Sequence, residues 1–142
     1  MSDITLNNEQ KEFIKDIKEK IRESQYNALK SVNRELINLY WEMGKIIHSK
    51  QKENWGKSIV KTLSEELQKE FPGIKGFSVS NLWNMSQFYN EYNSHEKLEP
   101  LVREISWTKN IVIMKKCKDS QMREFYILAT KKFGWTKNIL IH

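Results

Sequence analysis

Asp3, Glu9 and Lys11 are of the types that a metal-dependent nuclease uses: two carboxylates to hold a divalent ion and a lysine to polarise the phosphodiester. Such a triplet works when adjoining strands bring its members together, and the pattern around Glu9 is helical, so no catalytic role is read into it. Metal ligation has equally little to work with. Cys117, His48, His95 and His142 stand far apart, in none of the paired spacings of a zinc site. No serine sits in a glycine-flanked elbow and no glycine-rich phosphate loop can be drawn from five glycines. The expectation is a chain that catalyses nothing alone, needs no cofactor or metal, and takes no small-molecule substrate.

One motif does recur. The pentapeptide WTKNI occupies Trp107–Ile111 and again Trp135–Ile139, preceded by Ser106 in the first copy and Gly134 in the second. In each copy Trp is followed by Ile four residues on, which places both on one side of a helical turn. The spacing predicts two helix starts anchored by Trp and Ile, with Lys at the third position and Asn at the fourth pointing elsewhere. The functional alternative is a pair of Lys/Asn phosphate contacts at helix N-termini.

Charge is unevenly spread. The chain carries a formal +6, and residues 1–106 are neutral in sum. The excess lies in the last quarter, where Lys109, Lys115, Lys116, Lys118, Arg123, Lys131, Lys132 and Lys137 face only Asp119 and Glu124. A cluster of this kind attracts nucleic-acid phosphate. A single cysteine fits a reducing compartment. No apolar run reaches the roughly 18 residues of a membrane span, and the amino terminus lacks the build of a secretory signal. The sequence reads as cytoplasmic, with no membrane partner.

The elements that must position these residues are helices. From Phe13 to Ile47 large apolar residues recur in steps of three and four without proline, which predicts one long helix or two nearly collinear ones, with any break near Ser24–Asn27. Lys50–Ser58 reads as a connection and residues 59–71 as a second helix. The stretch FPGIKGFS then enforces a turn, and Ser78 is placed to cap a third helix over 79–92. A helix from about Leu98 to Ile105 follows. Ser106 and Asp119 are the next N-caps, and Gly134 closes the helix that Asp119 opens. The second WTKNI starts a further helix that stops at His142, an end that looks cut from something longer.

Helix, glycine-containing turn, helix is the outline of a helix-turn-helix. Its second helix presents Ser80, Asn81, Asn84 and Gln87, groups able to meet base edges or phosphates, with Lys75 and Ser78 in the turn before it. It carries Glu91 and no Lys or Arg, a poor electrostatic profile for a groove-reading helix. Phosphate contacts fall instead to Lys109, Lys115, Lys116, Lys131, Lys132 and Lys137. Trp83, Phe88 and Tyr89 on the same helix are equally able to pack the domain.

The strings LINLYWEMGKII at 36–47, WGKSIVKTLSEEL at 55–67, EFPGIKGFSVSNLWNMSQFYNEY at 70–92, ISWTKNIVIMKK at 105–116 and REFYILATKKFGWTKNIL at 123–140 resemble the N-terminal domain of the YhcG-type PD-(D/E)xK nuclease family. The resemblance runs from about Ser24 to the end. It implies a helical, winged-helix-like domain over residues 24–142, a helical extension over 1–23, and a nuclease domain that lies downstream of this chain. The family's catalytic carboxylates and lysine belong to that nuclease half, so no catalytic residue carries over. The fold expected is mainly α, a long N-terminal helix plus a helix-turn-helix or winged-helix-like domain. Two functions are open. The first is binding or positioning of DNA; the rival is a protein-interaction module that forms a homo-oligomer through the long helix, marked by apolar surface left over on that helix once the core is filled.

Overall fold

The computed structural model describes residues 7–53 and 56–134, in two units that meet in sequence between Val32 and Asn33. The second WTKNI copy, with Lys137 and His142, lies outside the described residues. Helix α1 spans Asn8–Lys52. It runs through Ser24–Asn27 without a break, since those residues are polar but include no Gly or Pro to interrupt the backbone ladder. Its start is a reciprocal cap: Gln10 N donates to Asn7 Oδ1 at 2.8 Å and Asn7 N donates to Gln10 Oε1 at 3.0 Å.

In the unit up to Val32 this helix is the whole of the described structure, and its large apolar side chains are exposed apart from the half-buried Ile14. The unit from Asn33 onward is a helical domain. Its helices are the end of α1, α2 (Lys57–Glu70), α3 (Val79–Tyr92), α4 (Leu98–Leu101), α5 (Trp107–Lys116) and α6 (Ser120–Phe133). The helix expected over 98–105 divides into the single turn of α4 and a 3-10 turn at Val102–Glu104. No strand occurs among the described residues, so wing strands do not contribute to this part of the fold.

The caps follow the residue types. Ser78 Oγ accepts from Asn81 N at 3.1 Å, Ser106 Oγ from Lys109 N at 3.3 Å, and Asp119 Oδ1 from Gln121 N at 2.9 Å. Gly134 ends α6 with φ of 64°, the left-handed C-cap that glycine adopts without steric cost.

Two core clusters share α1 and α3. Ile37 and Trp41 from α1 and Phe88 and Tyr92 from α3 join Val102, Ile113, Met114 and Ile127 in one; Tyr40, Ile47, Leu82 and Met85 join Val60 and Phe77 in the other. Helices α1 and α3 cross with no side chain between them at Gly44, where a Cβ would stand 2.0 Å from the carbonyl oxygen of Met85. The position therefore accepts nothing larger than glycine.

The connection Phe71–Ser78 is longer than the three- to four-residue turn of a simple helix-turn-helix. It is tied down from both sides. Ser64 Oγ on α2 donates to Phe77 O at 2.6 Å, and Asn81 Nδ2 on α3 donates to Gly76 O at 2.7 Å. Phe77 is buried between them, while Phe71, expected as the last helical residue of α2, is its exposed C-cap.

Candidate functional site

The first WTKNI copy is a packing device. Trp107 meets Tyr40 and Phe88 edge-to-face, with ring centroids at 4.8 and 5.0 Å, so it bridges the two core clusters. Its indole N–H donates to Asn81 Oδ1 at 2.8 Å. Asn110, which the sequence pattern placed away from the core, is fully buried, and its amide donates to the carbonyls of Val102 at 2.7 Å and Ser106 at 3.2 Å. The reason is register. Residues 107, 110, 111 and 114 fall at helical spacing on one face, and Asn110 is the polar member that satisfies the carbonyls ending the preceding turn.

The residues expected on the helix-turn-helix divide by environment. Lys75, Ser78 and Ser80 are exposed, the last on the first turn of α3, with Asn84 and Gln87 half-buried further along the same side. Asn81 is engaged at both ends of its carboxamide, by Gly76 and Trp107. Ser78 serves as the N-cap. Most of α3 is enclosed: Leu82, Met85, Ser86, Phe88 and Tyr92 are buried, and Trp83 and Tyr89 pack against the core.

The lysines stand at helix ends. Lys115 and Lys116 are exposed in the last turn of α5, and Lys131 and Lys132 in the last turn of α6, the two helices packing together. Cations there complement the helix dipole, a contribution of about 0.3–1 kcal/mol each. Lys131 Nζ lies 4.0 Å from Glu104 Oε2, and Lys132 Nζ lies 5.4 Å from the Phe133 ring centroid. Lys109, half-buried, is in the first turn of α5.

Arg123 does not belong with them. It is only 3% exposed and spends its whole guanidinium inside the domain: Nε donates to Cys117 O at 2.6 Å, Nη2 to Met114 O at 2.9 Å, and Nη1 to Glu91 Oε2 at 3.0 Å. Glu91, read from sequence as a liability on a groove-reading helix, is the counter-charge of this pair. Burial pushes the Cys117 thiol up from its ordinary value against the opposing effect of Arg123, away from the thiolate that nucleophilic chemistry needs. Among the described residues no group of three or more His, Cys, Asp or Glu converges on a possible metal position. Glu9 and Lys11 are both exposed on α1.

Apolar surface remains after the core is filled. In the unit from Asn33 onward, Leu39 is 48% exposed and Ile46 60% exposed on α1, with Ile59, Phe71 and Ile74 exposed nearby. A cleft of about 400 Å³ is lined by Leu39, Met43 and Ile46 of α1, by Leu63 and Leu67 of α2, and by Phe71 and Ile74 of the connection that follows. A second cleft, of about 390 Å³, shares Ile46, Ile47 and Leu63 with it, so the two form one apolar trough. The sequence patterning foresaw this surplus on the helix but not the trough, because Phe71, Ile74 and Leu39 meet only in the folded chain.

The chain matches the DUF1016 N-terminal domain over residues 16–142 and belongs to that family, which is the N-terminal domain of the YhcG-type proteins. No curated protein and no solved structure matches it. No helix among the described residues is long and apolar enough to cross a membrane.

Proposed function

We propose that this domain is a non-catalytic assembly module of a PD-(D/E)xK nuclease-family protein in the cytoplasm, and that it self-associates through its long N-terminal helix. The observation that carries the reading is the apolar surface on α1, which is present in both units although the core clusters are complete without it. Contiguous apolar surface of this kind marks partner contact. Helix α3, the candidate groove reader, supports the reading by contrast, since its enclosure leaves few side chains for a groove.

The test is light scattering on the chain across a concentration series. A mass above the monomer is expected, falling towards the monomer for Ile17→Gln combined with Ile21→Gln at unchanged helicity. A monomer at every concentration would sink the proposal.

A second reading, DNA binding or positioning, is favoured by one observation: Lys115, Lys116, Lys131 and Lys132 are all exposed on two helices that pack together. It is tested by fluorescence anisotropy with labelled duplex at two salt concentrations. On this reading affinity falls with salt by a slope of about 0.9 per phosphate held, and charge reversal at these four lysines lowers that slope.

A further inference from the structure

Two apolar surfaces involving α1 are left uncovered, and they differ in the charge that borders them. The first is the strip of Phe13, Ile14, Ile17 and Ile21 in the unit up to Val32, of which all but Ile14 are exposed. The charges nearest its edges are Lys11 and Lys18 on one side and Lys20 on the other, with Glu9, Asp16 and Glu23 one row further out. A second such strip laid against it would bring cations against cations.

The second surface is the trough between α1 and α2 in the unit from Asn33 onward. Its α1 wall is Leu39, Met43 and Ile46, and Glu35 and Glu42 border that wall at spacings of three and four from Leu39 and Ile46, with Lys45 a row behind. Its α2 wall includes Ile59, Leu63 and Glu66, with Glu70 one turn beyond Glu66 and Lys69 a row behind. Lys50, the cation that lines it, is held by Glu53 at 3.2 Å. Carboxylates therefore stand nearest the trough on both walls. Glu35, Glu42, Glu66 and Glu70 are exposed, as are Lys11, Lys18 and Lys20, and none of these side chains holds an ion pair among the described residues.

We propose that the trough of one copy of the chain receives the Phe13–Ile21 strip of a second copy, with the two α1 helices antiparallel. Charge selects the occupant, since unpaired lysines border the strip and unpaired carboxylates border the trough. Spacing sets the direction. Ile14, Ile17 and Ile21 are separated by three and then four residues, and Ile46, Met43 and Leu39, taken in reverse, are separated in the same way. Antiparallel helices thus set each isoleucine of the strip on one residue of the α1 wall, along about 10 Å of helix. In that direction Lys11 and Lys18 lie towards Glu66 and Glu70 on α2, and Lys20 lies towards Glu35 and Glu42, with Lys45 opposite the outer acids of the strip. The donor is a second copy because α1 is one helix from Asn8 to Lys52, and a helix does not double back onto its own later turns. The proposal rests on the assembly reading and names the surface that the strip meets.

The test is light scattering on two charge-reversed forms of the full 142-residue chain. One carries Lys11→Glu, Lys18→Glu and Lys20→Glu; the other carries Glu35→Lys, Glu42→Lys, Glu66→Lys and Glu70→Lys. Each alone is expected to associate several-fold more weakly at unchanged helicity, while an equimolar mixture of the two, or one chain with all the changes, regains the native mass. A second arm places Ile21→Cys and Leu39→Cys in separate chains in glutathione buffer, with the native chain and its buried Cys117 as the control. Mixed, the two form a covalent heterodimer; neither alone forms a covalent homodimer. A trough variant that assembles like the native chain, a mixture that stays as weak as its components, or Ile21→Cys cross-linking to itself overturns docking of strip in trough and leaves the assembly reading standing. A native chain that is monomeric at every concentration overturns both.

Discussion

The indole N–H of Trp107 donates to the carboxamide oxygen of Asn81 at 2.8 Å, while the same carboxamide donates to Gly76 O at 2.7 Å. One side chain thus joins the first turn of α5, the first turn of α3 and the connection before it. Asn81→Ala leaves a half-buried indole N–H and a carbonyl without their partner, and the expected cost is about 1–3 kcal/mol in urea unfolding. Trp107→Phe keeps the ring contacts with Tyr40 and Phe88 but removes the donor. Because both changes break the same bond, the double variant is expected to lose less than the sum of the two. Strict additivity would mean that the bond contributes nothing.

Arg123 and Glu91 give a harsher case. The guanidinium holds one carboxylate and two carbonyls in the interior, so Arg123→Ala abandons three acceptors at once. Loss of one partner from a buried pair typically costs about 3–5 kcal/mol, mostly from the partner left behind. Arg123→Lys is expected to recover little, since one ammonium cannot reproduce a planar fork aimed at three acceptors. Glu91→Gln, at a side chain one-third exposed, is expected to cost less than either. Thermal melts of the three variants would rank them, and an Arg123→Lys melt equal to that of the native chain would refute the geometric account.

At Gly44 the constraint is steric. A methyl group there meets backbone, the Met85 carbonyl, at 2.0 Å, and a carbonyl in the middle of α3 cannot rotate away. Gly44→Ala is expected to cost at least the upper part of the ~1–3 kcal/mol range for overpacking, by driving α1 and α3 apart. Gly73→Ala, where a Cβ meets nothing within 4 Å, is the control and is expected to leave the melting temperature nearly unchanged.

These three sites mark where sequence patterning succeeds and where it fails. Helix positions, three N-caps and the Gly134 C-cap were legible because each depends on residues within one turn of one another. The apolar surplus on α1 was legible as a stripe too long for a small core. Asn110 and Arg123 were misread because residue type was given more weight than register. Arg123 lies at helical spacing with Tyr126, Ile127 and Thr130, as Asn110 does with Trp107, Ile111 and Met114, and in both cases the polar residue at a core-facing position is the one that ties neighbouring backbone carbonyls. Asn81 could not be read in advance. Its partners lie five and twenty-six residues away, and only packing of α5 on α3 brings Trp107 to it.

Tyr92 makes stability depend on alkaline pH. Its ring is fully buried beside Arg123, and among the described residues its hydroxyl has no hydrogen-bond partner. Burial pushes its pKa up to about 12; the guanidinium of Arg123 opposes the shift, and Glu91 and Cys117 add to it. In the unfolded chain the phenol titrates near 10. Below that value it is neutral in both states and its burial costs no charge. As pH rises from about 10 to about 12 the unfolded state loses the proton first, so stability falls across that window, by roughly 2–3 kcal/mol if the full shift is expressed. Tyr40, whose pKa burial also raises, acts in the same direction. Urea unfolding at pH 8, 10 and 11 is expected to show the decline. Tyr92→Phe should remove most of it and, by deleting an unpaired buried hydroxyl, should be as stable as the native chain at pH 7 or more stable by up to about 1 kcal/mol. An unchanged alkaline decline in Tyr92→Phe would place its origin in other groups.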